Sequence, residues 1–151
     1  MSDAKVISSE GRLNIRIHIT QLSGERFWEI ENPIPSQLHI AVNVNLLGVE
    51  KRSENTIKAP FVFTINFTPS IAQINIKGNA LALGEIKEIE KIVKDHNEKK
   101  TAPTKIIQAI TNITMAEAII ISKALGIPPP LPPITPSTTK NQRKPDGRYT
   151  A

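Results

Sequence analysis

The chain has 151 residues, 39 % of them hydrophobic, and a formal net charge of +5, which suits one domain with a sizeable core and leaves little for two. It has no cysteine, so disulfides, thiolate metal sites and thiol nucleophiles are excluded and nothing argues for secretion. The first residues carry no apolar signal-type segment and no run reaches the ~20 apolar residues of a membrane span, so a soluble, cytoplasmic protein without a membrane partner is expected.

From Leu13 the pattern alternates strictly. Leu13, Ile15, Ile17 and Ile19 share one face, and Asn14, Arg16, His18 and Thr20 the other, as in a half-buried strand. A turn is expected at Ser23-Gly24, followed by the short aromatic stretch Phe27-Trp28-Glu29-Ile30 and by a segment that Pro33 and Pro35 bar from any central strand. A second alternation sets Leu38, Ile40, Val42, Val44 and Leu46 against His39, Ala41, Asn43 and Asn45. The third and strongest places Phe61, Phe63, Ile65 and Phe67 opposite Val62, Thr64, Asn66 and Thr68, ending at Pro69-Ser70. Ile74 and Ile76 lead a fourth strand, with Gly78-Asn79 as a candidate bend before residues 80–83. The spacing predicts an antiparallel sheet of about four strands, joined in order, with one apolar face and one wet face.

The period then lengthens from 2 to 3.6. Ile86, Ile89 and Val93, flanked by Glu85, Lys87, Glu88, Glu90, Lys91 and Lys94, form one amphipathic helix that fades in residues 95–100. Pro103 opens a second, with Thr101 or Ala102 near its cap and a broad apolar set: Ile106, Ile107, Ile110, Ile113, Met115, Ile119, Ile120, Ile121 and Leu125. Gly126 is placed to end it, and Ile127-Pro128 prevents continuation. So apolar a helix needs cover from the sheet and from a neighbouring helix or a second subunit. The chain therefore reads as an α+β domain over residues 1–126, a proline-rich extended arm over 127–137 and a basic tail over 138–151. Residues 127–136 hold six prolines, which keep the arm extended and without backbone donors. The tail sets four cations against one acid and has no apolar pattern to bury.

The order of four strands, a helix, a long apolar helix and a proline strip resembles the export chaperone SecB and its small archaeal relatives. Two runs carry the likeness: PFVFTINFTPSIAQINIKG from Pro60 to Gly78 and AIIISKALGIPPPLPP from Ala118 to Pro133. The resemblance implies a SecB-like sheet-plus-helix fold that tends to form homo-oligomers, and a holdase activity on unfolded polypeptide. The bacterial chaperone is acidic and meets a cationic partner, whereas this chain is basic. Its partner contacts are not carried over, because fold transfers architecture better than function.

Catalytic chemistry is sparse. His18 and His39 are expected near one another on the wet face of adjacent strands beside Arg16, without the further ligand a metal site needs. His96 complements a helix C-terminus. No glycine-rich phosphate loop occurs, and the Glu and Lys residues of the first helix read as exposed ion pairs. A non-enzymatic protein with no cofactor and no metal is expected. The leading expectation is a ribosome-associated, RNA-binding protein whose body anchors while its tail reaches rRNA among neighbouring ribosomal proteins. Lys140, Arg143, Lys144 and Arg148 would contact phosphates, Tyr149 would stack on a base, and Arg16 and Lys77 would contribute from the sheet. The alternative is a SecB-like holdase for unfolded polypeptides, and a third reading is a docking arm for a groove that reads proline-rich segments.

Overall fold

The strictest alternation in the chain builds the middle of the fold. A computed structural model describes residues 13–99 and 101–130. Its elements are β1 (Asn14–Arg26), β2 (His39–Leu46), β3 (Glu50–Ser53), β4 (Thr56–Thr68), β5 (Ala72–Leu83), α1 (Ile86–Lys99) and α2 (Thr104–Leu125). On β4 every second residue from Ile57 to Phe67 is buried, and β5 answers with Ile74, Ile76, Ala80 and Ala82. Phe61, Phe63 and Phe67 form the thick part of the core, as their placement in one alternating run predicts.

The sheet has five strands in the order β1-β5-β4-β2, with β3 also pairing β4, and every pairing is antiparallel. This corrects the expectation of strands joined in order, because β1 and β2 lie on opposite edges with the β4–β5 hairpin between them. The connection from Arg26 to His39, stiffened by Pro33 and Pro35, passes the turn of that hairpin, where the Phe27 N–H donates to the Ile71 carbonyl at 2.8 Å. His18 and His39 are therefore far apart in the sheet: His18 lies opposite Asn79 on one edge, and His39 opposite Thr68 on the other.

No turn forms at Ser23-Gly24. Strand β1 continues to Arg26 and absorbs one extra residue, Thr20, where its register shifts between Ile19 and Gln21. Gly24 serves packing instead. A Cβ there would lie 2.6 Å from Ile121 Cγ2 and 3.2 Å from Leu125 Cδ1, so its absence lets α2 settle on the sheet. Strand β3 was not legible because all four of its residues are exposed and show no apolar alternation. The candidate bend at Gly78-Asn79 is continuous strand.

Helix α1 runs through the charged stretch to Lys99 and buries Ile89. Helix α2 starts after Pro103 and ends in a left-handed Gly126, where the Gly126 N–H donates to the Lys123 carbonyl and the Ile127 N–H to that of Ser122, closing the helix as its sequence predicts. By length and hydropathy α2 is long and apolar enough to cross a membrane, which corrects the reading that no segment is. Its buried stripe against the body is Ile106, Ile110, Thr114, Ala118 and Ser122. Ile127 is buried and Pro128–Pro130 follow without regular structure; the rest of the proline arm and the whole basic tail lie outside the described residues.

Gly78 is a sensitive test of this packing, because a Cβ there would lie 2.3 Å from the His18 carbonyl oxygen and 2.9 Å from Phe61 Cζ. Gly78→Ala is expected to cost about 1–3 kcal/mol in urea unfolding, with a lower midpoint and an unchanged slope.

Candidate polypeptide-binding surface

The two faces of the sheet divide the chemistry. Outward-facing amides and hydroxyls of β4 and β5 pair with each other: Thr64 Oγ1 donates to Asn75 Oδ1 at 3.1 Å, and Gln73 Nε2 to Asn66 Oδ1 at 2.8 Å. At the β1 side Thr20 Oγ1 donates to the Lys77 carbonyl at 3.3 Å and Ser23 Oγ to that of Asn75 at 3.4 Å. The outer face therefore has much of its polar capacity satisfied internally. Arg16 and Lys77 lie on it in different rows, Arg16 opposite Leu81 and Lys77 between Gln21 and Val62, so they make no joint cationic site. Lys140, Arg143, Lys144, Arg148 and Tyr149 lie outside the described residues.

Among the described residues no group of three or more His, Asp or Glu side chains could hold a metal ion. The charged ladder of α1 shows one i,i+4 ion pair among these residues, Lys91 Nζ to Asp95 Oδ2 at 3.4 Å, of the weak exposed kind.

Apolar surface is concentrated elsewhere. Just beyond β1, Phe27 and Ile30 are exposed by 49 % and 72 %, with Trp28 half-buried between them and packed on the core. Leu22 on the last part of β1 and Val42 on β2 are also exposed. On α2 the exposed set is Ile113, Ile119 and Ile120, while Thr114 and Ser122 are buried. Thr114 tolerates burial because its Oγ1 donates to the Ile110 carbonyl at 2.7 Å.

Phe27 and Ile30 stand on a rigid stem. The Arg26 guanidinium donates from Nε to the Trp28 carbonyl at 2.9 Å and from Nη2 to that of Glu29 at 3.2 Å. Its Nη1 donates to the carbonyls of Leu125 at 3.2 Å and Gly126 at 2.9 Å. A cation thus closes the negative end of α2 and ties it to the aromatic stretch, and a backbone turn from the Asn32 N–H to the Glu29 carbonyl follows at 3.0 Å. Sequence reasoning noted the aromatic stretch without giving it a role and passed over Arg26. The available signal was two large apolar residues in a short, proline-flanked connection that has no alternation to bury them.

No protein-family model matches the chain, and no curated protein matches it. Among solved structures it is similar to the SecB-like chaperone of Mycobacterium tuberculosis, determined in complex with a ChAD peptide from the HigA1 antitoxin. The TM-score is 0.56 and the identity 13 %, over 82 % of this chain and 91 % of that one. The chain has the SecB-like fold: an antiparallel sheet packed by two C-terminal helices. The ribosomal, RNA-binding and archaeal expectations are corrected by this result. The matching fold is that of a bacterial chaperone, and the sheet face that was to meet RNA pairs its amides with one another.

Replacing Arg26 by Lys keeps the charge and loses the fork. The variant is expected to be less stable by about 2 kcal/mol, with faster amide exchange confined to residues 27–32 and the end of α2.

Proposed function

We propose that the protein is a non-enzymatic holdase that captures unfolded polypeptide on the apolar surface around Phe27 and Ile30, continued by exposed isoleucines of α2. The observation that carries this reading is the exposure of Phe27 and Ile30 on a connection pinned by four hydrogen bonds from one guanidinium. Large apolar side chains held in place present contact area at low entropic cost, and they bind any segment rich in apolar residues without reading its order. Patches of this kind on a soluble domain mark interaction sites. The solved relative in fold was determined with a peptide bound, which supports a polypeptide as the ligand. A cytoplasmic setting, where clients emerge unfolded, goes with this function.

The test is suppression of aggregation of a chemically unfolded client on dilution. The F27S/I30S double variant is expected to need several-fold more protein for the same suppression while keeping the wild-type melting temperature, because neither side chain belongs to the core. A chain truncated after residue 137 is expected to protect as well as the full chain. Wild-type suppression by the double variant would remove the proposed surface, and loss of protection on truncation would move the function to the tail.

A further inference from the structure

The outer face of the sheet is chemically uneven. Around Asn66 and Asn75 its amides and hydroxyls bond one another; toward the start of β1 and the end of β5 the pattern changes. Arg16 stands opposite Leu81, Leu81 opposite Lys58 and Lys58 opposite Glu50, so two cations flank one leucine in a single row. The adjoining row is Asn14, Leu83 and Thr56. Asn14, Arg16, Thr56, Leu81, Ala82 and Leu83 line a cavity of about 300 Å³, in which Leu83 is 46 % exposed. The core does not use these two leucines, because the same strands bury Ile57, Ala59, Ala80 and Ala82 on their other side. Among the described residues the ion pair is Lys91 with Asp95 on α1, so no carboxylate there is bonded to Arg16 or Lys58. Glu50 lies beside Lys58 at the rim without pairing to it.

We propose that this notch binds an acidic polypeptide segment carrying a large aliphatic residue midway between two carboxylates. The aliphatic side chain enters between Leu81 and Leu83, and the carboxylates meet Arg16 on one flank and Lys58 on the other. Neighbouring strands are about 4.8 Å apart, which sets the backbones of Arg16 and Lys58 about 10 Å from each other with Leu81 between them. A segment laid extended across the strands repeats its side chains on one face every ~7 Å, so acid, aliphatic and acid at i, i+2 and i+4 span about 13 Å. The long apolar stems of Arg16 and Lys58 cover the difference while their charged heads stay at the rim. An extended segment also keeps backbone donors and acceptors for the Asn14 amide and the Thr56 hydroxyl in the adjoining row, groups that a helix satisfies internally. Exposed ion pairs contribute little singly. Affinity therefore rests on the leucine contact and two charges acting together, and it falls as salt rises. The surface around Phe27 and Ile30 takes apolar segments whatever their charge, so the two sites select by different chemistry.

The experiment titrates the full chain, labelled with nitrogen-15, with the peptide acetyl-Ser-Glu-Thr-Leu-Thr-Glu-Ser-amide at low salt and follows the amide shifts. Changes are expected at residues 14–16, 56–58 and 81–83. R16Q, K58Q and L83S should each weaken binding several-fold with an otherwise unchanged spectrum, and R16Q/K58Q should abolish it. The same peptide with both glutamates replaced by glutamine should not bind. Equal binding of the glutamine peptide, wild-type affinity in R16Q/K58Q, or shifts centred on residues 27–30 would overturn the proposal. So would phosphatidylglycerol vesicles that perturb these amides when the peptide does not, which would make the notch a lipid contact. F27S/I30S should bind the acidic peptide as the wild type does, so this site and the holdase function stand or fall separately.

Discussion

A single side chain holds together the three segments on which the working surface depends. The guanidinium of Arg26 donates to carbonyls of Trp28, Glu29, Leu125 and Gly126. The last carbonyls of a helix have no partner within the helix, and a planar fork with several donors satisfies two of them while reaching into the next segment. Two residues earlier, Gly24 lets α2 come down onto β1 close enough for this bond to form, with Ile121 occupying the space a side chain would take. A strand end, the start of the edge-to-edge connection and the end of the long helix are thereby one rigid corner.

That corner explains how exposed apolar side chains persist in a stable domain. The inner face of the sheet is closed by β4, β5 and the buried stripe of α2, so core stability does not depend on Phe27 or Ile30. Around Asn66 and Asn75 the outer face is closed in another sense, through cross-strand amide and hydroxyl pairs. With the inner face and this part of the outer face committed, binding away from the row of Arg16 and Lys58 is left to the connection, the outer side of α2 and the sheet edge. Among the described residues each presents groups left unused: apolar side chains in the first two, backbone donors and acceptors in the third.

Much of this was legible in the chain and some of it was not. Two-residue alternation identified four of the five strands and the faces they bury, because the alternation of side chains is a local property of extended backbone. Gly126 and the following prolines marked the end of α2 for an equally local reason. Apolarity did not reveal which isoleucines of α2 are buried: Thr114 and Ser122 face inward and Ile113 and Ile120 outward, an arrangement decided by how the helix lies on the sheet.

By itself, then, the sequence determined four of the five strands, both helices, the core phenylalanines, the polarity of the two faces and the helix stop. Only the tertiary structure decided the strand order, and with it the separation of His18 from His39 and the position of the long strand β1 at one edge of the sheet. A connection of a dozen residues can return a strand beside its predecessor or carry it past a hairpin, and nothing in local periodicity distinguishes the two. Gly24 read as a turn, and Arg26 was passed over, for the same reason. Their partners lie about one hundred residues away in the chain, and their meaning arises only when α2 arrives.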